Sequence, residues 1–264
     1  MPDMRRLANN FGAIGLILAL LLAVTYLPPD NSLKQARAGG ALRACIPPSY
    51  PPLVTGDAER PGIDIELLRA IAGRIGLTLA LNANDAIGRD FNPRNWGLNR
   101  AQCQVIAGGV VDSDQTRSFL ETTPPYARTG WALISPKPPA DLKGVNVGVL
   151  TLVSGLDRIG LASFLRAAGA RIQVVRTADE LAAGIAEGRF EVGVTEALLA
   201  SRLATDRKWQ VAWMPLALAR YGLVFGLWKG DMTLKRAIDQ AFADLAANGT
   251  MAAIMGRYAG APLE

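Results

Sequence analysis

Two charged side chains far apart in the sequence, Arg117 and Glu196, are the residues best suited to chemistry in this chain. A guanidinium binds a carboxylate through two parallel hydrogen bonds, and a carboxylate accepts hydrogen bonds from an ammonium group. Arg117 lies within the run from Asn95 to Tyr126, and Glu196 comes just after an apolar run that ends at Val194. We therefore expect this pair to hold a small zwitterion between two α/β lobes.

The composition excludes several kinds of catalytic site. The 264 residues include no histidine, which rules out an imidazole base, a Ser-His or Cys-His couple and a histidine metal site. Cys45 and Cys103 are the two cysteines, and they show neither CxxC spacing nor a further ligand for zinc. Two interpretations remain for them, a pair of buried cysteines at strand ends or a disulfide. We expect no metal and no cofactor.

The net charge does not indicate a nucleic-acid partner. The formal charge is +5, but the Lys and Arg residues are dispersed along the chain. An electrostatic footprint for nucleic acid requires clustered basic residues, often with interleaved aromatic residues. We therefore expect no nucleic-acid binding.

The N-terminus has the order of charged and apolar residues typical of an export signal. Arg5 and Arg6 precede an apolar stretch from Phe11 to Leu27, which two prolines then end. The stretch is longer than most signal cores and near the lower limit for a spanning helix, so a cleaved signal and a retained anchor both fit. Ala36-Arg37-Ala38 offers a cleavage site. In both cases we expect a periplasmic domain whose membrane contact is confined to this segment.

After a polar linker expected at 31–40, short apolar runs alternate with helical patterns, as in parallel strands joined by crossover helices. Half of the residues are apolar, which at this length favours two modest cores. Asp64 is expected on a polar helix face, Thr177 with Glu180 as a capping box, and Thr233 and Thr250 as helix caps. The pattern predicts strands at 42–46, 77–81, 105–107, 145–150, 172–175 and 192–194, and helices at 63–76, 155–168, 177–188, 233–248 and 250–255.

Six segments in the same order resemble the family 3 extracellular solute-binding proteins of bacteria, the polar amino-acid receptors of ABC importers. The resemblance covers residues 41 to 260. The segments are LRACIPPSYPPL (42–53), GIDIELLRAIAGRIGL (62–77), AGG with TR and PPY (107–126), DLKGVNVGV (141–149), GRFEVGVTE (188–196) and YGLVFGLWKGDMTLKRAIDQAFADLAANGTMAAI (221–254).

The resemblance implies a two-lobed periplasmic-binding-protein-like fold of type II. In that fold each lobe is a mainly parallel sheet flanked by helices, two hinge strands join the lobes, and the ligand lies in the cleft. On this sequence the first lobe would comprise 41–131 and 220–264, and the second lobe 132–219. Residues 1–40 would be the signal or anchor with its linker.

The resemblance also implies three principal ligand contacts. Arg117 matches the arginine that holds the ligand α-carboxylate, Glu196 the acid that accepts from the ligand ammonium, and Tyr50 the aromatic residue that stacks on the ligand side chain. Arg117 has an alternative interpretation as a solvated surface charge, and Glu196 as a first-turn helix carboxylate. For Tyr50 the alternative is packing against Pro51 and Pro52.

Three further residues are candidates for the same pocket. Ser113 lies near a hydroxyl position of the family, and Ser154 lies near the Ser or Thr at a helix start, where free amides bind anions. Trp96 could line the pocket or belong to the core. Receptors for basic amino acids carry an acid shortly before the aromatic residue, whereas this chain has Ile-Pro-Pro at 46–48. This difference argues against a Lys, Arg or His ligand unless another acid substitutes.

These observations predict a non-catalytic receptor that closes on a small amino acid or carboxylate and delivers it to a membrane permease. One alternative is an exported dehydratase in which Glu196 acts as a general acid. Another is a sensory or dehydrogenase-associated module that binds a ligand without transport.

Overall fold

The computed structural model describes residues 14–19, 21–22, 29–87, 93–151 and 156–260. The chain divides into two compact units, Met1–Asn31 and Ser32–Glu264. In the first unit, residues 14–19 and 21–22 are helical. Within the described ranges, no helix combines the length and apolar character that crossing a membrane requires. The expected positive flank and part of the apolar stretch lie outside the described residues.

One lobe of the second unit is built on a six-stranded sheet. Its order is β2-β1-β3-β11-β4, and β5 also pairs with β11. Strands β1, β2 and β3 run parallel, whereas β11 is antiparallel to β3, β4 and β5. Because β11 follows all other strands in sequence yet lies inside the sheet, the chain returns late to this lobe. The strands are β1 (Ala41–Ile46), β2 (Thr78–Ala83), β3 (Val105–Val111), β4 (Leu120–Thr122), β5 (Ala127–Thr129) and β11 (Tyr221–Trp228).

The other lobe contains a five-stranded sheet with the order β10-β6-β9-β7-β8. Strand β7 is parallel to β8 and β9, and β6 is antiparallel to β9 and β10. Each sheet therefore has a parallel core of three strands to which antiparallel strands are added. The strands are β6 (Trp131–Ser135), β7 (Asn146–Leu150), β8 (Arg171–Val175), β9 (Val192–Glu196) and β10 (Gln210–Trp213).

Helices pack against both sheets. Thr177 accepts a hydrogen bond from Glu180 N at 3.0 Å, as a capping box predicts. Glu180 Oε2 accepts a hydrogen bond from the backbone N–H of Arg176, the residue before the cap, whereas a capping box would use that of Thr177. Gly249, with φ 79°, is the N-cap of the last helix instead of Thr250. The helices are α1 (Ser32–Gly39), α2 (Ile63–Arg74), a 3-10 turn (Pro93–Trp96), α3 (Asp114–Phe119), α4 (Arg158–Ala167), α5 (Ala178–Ala186), α6 (Ala197–Arg207), α7 (Met232–Ala247) and α8 (Thr250–Tyr258).

Two short connections join the lobes. The chain leaves the first sheet at Thr129 and enters the second at Trp131, and it returns from Trp213 to Tyr221. The expected two-lobed α/β fold of type II is thus confirmed: two sheets with the same pattern of strand order, flanked by helices and linked by paired crossings.

The prediction of a linker at 31–40 was wrong, because Ser32–Gly39 form helix α1. Ala36 is fully buried, and Ser32 Oγ lies 3.0 Å from Thr233 Oγ1. Ser32 Oγ also accepts a hydrogen bond from Leu234 N at 3.2 Å. The predicted cap Thr233 lies inside the first turn of α7, whose N-cap is Asp231. A residue about two hundred positions away thus satisfies a free amide at the start of α7, which sequence patterns do not reveal.

Cys45 and Cys103 form a disulfide, the second of the two interpretations open at the sequence level. The bond connects β1 with the segment that precedes β3. It belongs to a buried cluster that also contains Trp96 and Trp228, and Trp228 Nε1 donates to Cys103 O at 2.7 Å.

Candidate functional site

Glu196 lies at the junction of a strand and a helix. It is the last residue of β9 and the N-cap of α6, and it is 1% exposed. Its Oε1 accepts hydrogen bonds from Thr129 Oγ1 at 2.6 Å and from Leu198 N at 3.0 Å. Its Oε2 accepts one from Leu199 N at 3.0 Å. The interpretation as a helix-start carboxylate therefore accounts for part of its role, and Thr129 links it to the hinge.

Among the described residues, the donors bonded to the Glu196 carboxylate leave one acceptor position over. An ionised carboxylate has about four acceptor positions, and the three donors occupy two on Oε1 and one on Oε2. Burial raises the pKa of Glu196, whereas the hydrogen bonds from Leu198, Thr129 and Leu199 lower it. A cationic donor at the free position on Oε2 would favour the ionised form. An ammonium group is such a donor.

A cavity of about 350 Å³ adjoins Glu196 and has walls from both lobes. Ser49, Tyr50 and Pro51 come from the first lobe. The second lobe contributes the end of β7, the start of α5 and Leu199 beside Glu196. Its volume falls at the lower end of the range for small-molecule sites.

Tyr50 is fixed in this wall by close packing. It is 8% exposed, and its backbone forms a bridge with Val54. Its ring lies against Gly109, where a Cβ would be 2.5 Å from Cε1; with φ 92°, this position requires glycine. Burial raises the pKa of Tyr50, with Glu196 and Asp64 as further causes, so the phenol stays neutral. The structure thus brings together two of the predicted site residues, Tyr50 and Glu196.

Arg117 lies elsewhere in this conformation. It belongs to α3, and its side chain is 49% exposed. Its guanidinium pairs with Asp112 Oδ1 and Asp114 Oδ1, each at 2.7 Å. It is not among the described residues that line the cavity. Arg117 would have to leave these two acids to bind a ligand carboxylate, a competition that the sequence interpretation did not include.

The three remaining predicted contacts have different outcomes. Ser113 is the N-cap of α3, where its Oγ accepts from Thr116 N at 3.1 Å. Trp96 is 4% exposed and packs in the cluster around the disulfide, so its core interpretation describes its position. Ser154 lies outside the described residues. Neither Ser113 nor Trp96 lines the cavity beside Glu196 among the described residues.

A buried acid that the sequence placed on a polar face lies behind Tyr50. Asp64 is fully buried, so that prediction was wrong. Its Oδ2 accepts from Gly108 N at 2.7 Å, and its Oδ1 accepts from Tyr126 Oη. Burial raises the pKa of Asp64 to about 6, although the bonds from Tyr126, Gly108 and Gly109 lower it. The carboxylate holds the backbone beneath the Tyr50 ring. Its partners lie far away in sequence, so no local signal identified them.

The described residues contain no group of three or more His, Cys, Asp or Glu side chains that could hold a metal ion. The described residues that line the cavity present carboxylates, a guanidinium, hydroxyls and apolar surfaces.

Comparison with known proteins finds relatives along most of the chain. The sequence model of the bacterial extracellular solute-binding proteins, family 3, matches residues 42–261. The L-cystine-binding protein TcyJ of Escherichia coli K12 is 24% identical over 267 residues, covering 95% of this chain and 94% of that protein. The membrane-bound lytic murein transglycosylase F of Cronobacter sakazakii is 21% identical over 273 residues, covering 97% of this chain and 51% of the relative. The chain thus spans about half the length of that transglycosylase.

Among solved structures, an ancestral cationic amino acid solute-binding protein superposes with a TM-score of 0.71 at 20% identity, covering 86% of this chain and 99% of the other. This likeness establishes the shared fold. The match of the family model over residues 42–261 shows the family: the chain belongs to family 3 of the bacterial extracellular solute-binding proteins.

Proposed function

We propose that this protein captures a small amino acid between its two lobes and presents it to the permease of an ABC importer. The observation that carries the proposal is the carboxylate of Glu196. It is buried at a cavity with walls from both lobes, and one acceptor position remains for an ammonium group.

The ligand would engage the two lobes in different ways. Its ammonium group would donate to Glu196, and its side chain would lie against Tyr50. Its carboxylate would draw Arg117 away from Asp112 and Asp114, since a bidentate pair with a fixed ligand carboxylate is shielded from water and the present pairs are exposed. Contacts that exist only in the closed state would shift the hinge equilibrium toward closure.

A thermal-shift screen over amino acids and small carboxylates tests the proposal, with L-cystine included because a relative binds it. A ligand at about 100 times its dissociation constant adds about 2.7 kcal/mol to stability. We expect a rise in melting temperature with at least one free α-amino acid and none with its N-acetyl derivative. Stabilisation by carboxylates that lack an amine, with no response to amino acids, would contradict the role of Glu196.

We further propose that the domain is exported and that its mature form retains helix α1. Cleavage after Ala38 would remove a helix that buries Ala36 and whose Ser32 caps α7. A disulfide between Cys45 and Cys103 suits an oxidising compartment. Intact-mass measurement on protein purified from the cell envelope tests this proposal. A mature chain that begins at Gly39 would contradict it.

A second candidate function is catalysis in the same cleft. The observation that favours it is the buried Glu196, whose pKa burial raises, as a general acid requires. A dehydratase would need this carboxyl protonated, whereas a receptor needs it ionised. Product analysis after incubation with a dehydratase substrate distinguishes the two, because Glu196→Gln would abolish turnover by an enzyme.

A further inference from the structure

The charges that line the cleft cavity come from one lobe. The first-lobe wall presents Ser49, Tyr50 and Pro51, none of which is charged at neutral pH. The second-lobe wall contains Arg176, Asp179 and Glu196. Selection by charge in this cavity therefore depends on the second lobe.

Arg176 and Asp179 differ from Glu196 because their side chains are not bonded to other described residues. Both are exposed, and within the described part of the chain neither side chain forms a hydrogen bond or ion pair. Arg117, in contrast, is held by two acids. Thr177, which lies between Arg176 and Asp179 in the wall, is fixed as the N-cap of α5 by its bond from Glu180 N. The two free charges thus extend from a fixed helix start into the same cavity as Tyr50.

On the proposed function, the cavity lining offers a neighbour to each part of the ligand. Its ammonium group would meet Glu196, and its side chain would contact Tyr50, Leu150 and Leu199, which line the same cavity. The end of that side chain would then meet Arg176 and Asp179. A purely cationic end would be attracted by Asp179 and repelled by Arg176. A purely anionic end would be attracted by Arg176 and repelled by Asp179. An end that offers both a donor and an acceptor satisfies both residues.

We infer that Arg176 and Asp179 determine specificity by binding the far end of the ligand side chain, and that this end carries both a hydrogen-bond donor and an acceptor. A carboxamide has this chemistry, and so does a second amino-acid head. The inference rests on the proposed capture of an amino acid and adds the class of side chain. It also assigns the selection of polar side chains to the lobe opposite the Ile-Pro-Pro segment at 46–48.

Titration calorimetry on five ligands tests the inference. L-glutamine carries a carboxamide, L-cystine a second amino-acid head, L-glutamate an anion, L-ornithine a cation and L-norleucine an apolar end. We expect glutamine or cystine to bind about tenfold more tightly than the last three, the scale of one hydrogen bond to a charged group. The tighter binder of these two ligands then shows whether the cleft accepts a carboxamide or a second amino-acid head.

Variants locate the effect. Arg176→Ala and Asp179→Ala should each lower affinity for the preferred ligand about tenfold and leave norleucine binding unchanged. Arg171→Ala, an exposed arginine on β8 outside the cavity wall, is the matched control and should bind as the parent does. Melting temperatures of the three variants verify that they fold.

The outcomes separate the two levels of the proposal. The inference would be overturned if norleucine, ornithine or glutamate bound best. It would also be overturned if Arg176→Ala and Asp179→Ala left the affinities unchanged. Both results would leave amino-acid capture intact. All five ligands share the same zwitterionic head. If none of them bound, the proposed function would fall together with the inference.

Discussion

Glu196 and Arg117 were predicted as the two halves of one zwitterion site, and they differ in almost every physical respect. Glu196 is buried and accepts three hydrogen bonds from groups fixed by the hinge and a helix start. Arg117 is half exposed and held by two acids near the surface. On the proposed function, the ammonium half of the site would thus already be in place, whereas the carboxylate half would have to be assembled.

This difference suits a receptor that closes on its ligand. Glu196 would receive the proposed ammonium group without rearrangement, because Thr129 and two backbone amides hold its carboxylate. The proposed contact of Arg117 would become favourable only when the ligand supplies a better partner than Asp112 and Asp114 do. Differential contacts of this kind are what allow a ligand to shift a conformational equilibrium.

The largest effect that should separate the two residues is on folding stability. Glu196→Ala leaves the Thr129 hydroxyl and the amides of Leu198 and Leu199 without their acceptor, and should cost about 2 to 4 kcal/mol. Arg117→Ala removes exposed ion pairs and should barely change the urea midpoint. Urea unfolding of the two variants measures the contrast. Equal urea midpoints would show that Glu196 contributes no more to folding stability than Arg117 does.

The next effect is the pH dependence of ligand binding. Burial raises the pKa of Glu196, and the ammonium group needs its ionised form, so affinity should be complete above the folded pKa and fall as the pH drops through it. Well below that pKa the decline should approach about tenfold per pH unit. Calorimetry across a pH series measures this decline.

Glu196→Gln is the control for the pH series. Asp64, with a pKa of about 6, titrates near the same cavity and remains in this variant, while Tyr50 stays neutral. The variant should bind more weakly at neutral pH and lose most of the decline on acidification. A decline of unchanged steepness would assign the titration to Asp64 instead.

The smallest effect should be a gain. Asp112→Asn removes one of the acids that compete for Arg117, and we expect about two- to fivefold tighter ligand binding, in keeping with the modest strength of exposed ion pairs. Glu187→Gln, which removes an exposed acid paired with Arg189 in the other lobe, is the matched control and should leave affinity unchanged. Weaker binding in Asp112→Asn would mean that Asp112 positions Arg117 and does not restrain it.

The sequence predicted the parts of the fold that depend on local patterns. The strand predicted at 145–150 was confirmed at Asn146–Leu150, and so was the hydroxyl cap of Thr177, because a short apolar run and cap chemistry act over a few residues. Helix α1 was missed because its polar sequence is stabilised mainly by contacts with α7. Asp64 was misplaced for a similar reason, since its partners Gly108 and Tyr126 come from β3 and from the segment before β5.

The chemistry of the candidate site could be predicted from the sequence better than the contacts that its side chains form. The family resemblance identified Glu196 and Tyr50, which share a cavity. The engagement of Arg117 by Asp112 and Asp114 could not be predicted from spacing, because either acid could equally have faced solvent. The role of Ser113 as the N-cap of α3 was missed. A hydroxyl near a helix start can cap the helix or bind a ligand, and the sequence does not distinguish the two.

In the proposed function, Arg117 binds the ligand carboxylate while Glu196 binds its ammonium group. The most direct test is a thermodynamic cycle by calorimetry, which combines Arg117→Ala with the ligand from the screen and with its α-carboxamide. If the claim holds, Arg117→Ala weakens binding of the free acid about tenfold or more and weakens binding of the amide very little. An equal loss for both ligands, or none for either, would contradict the claim.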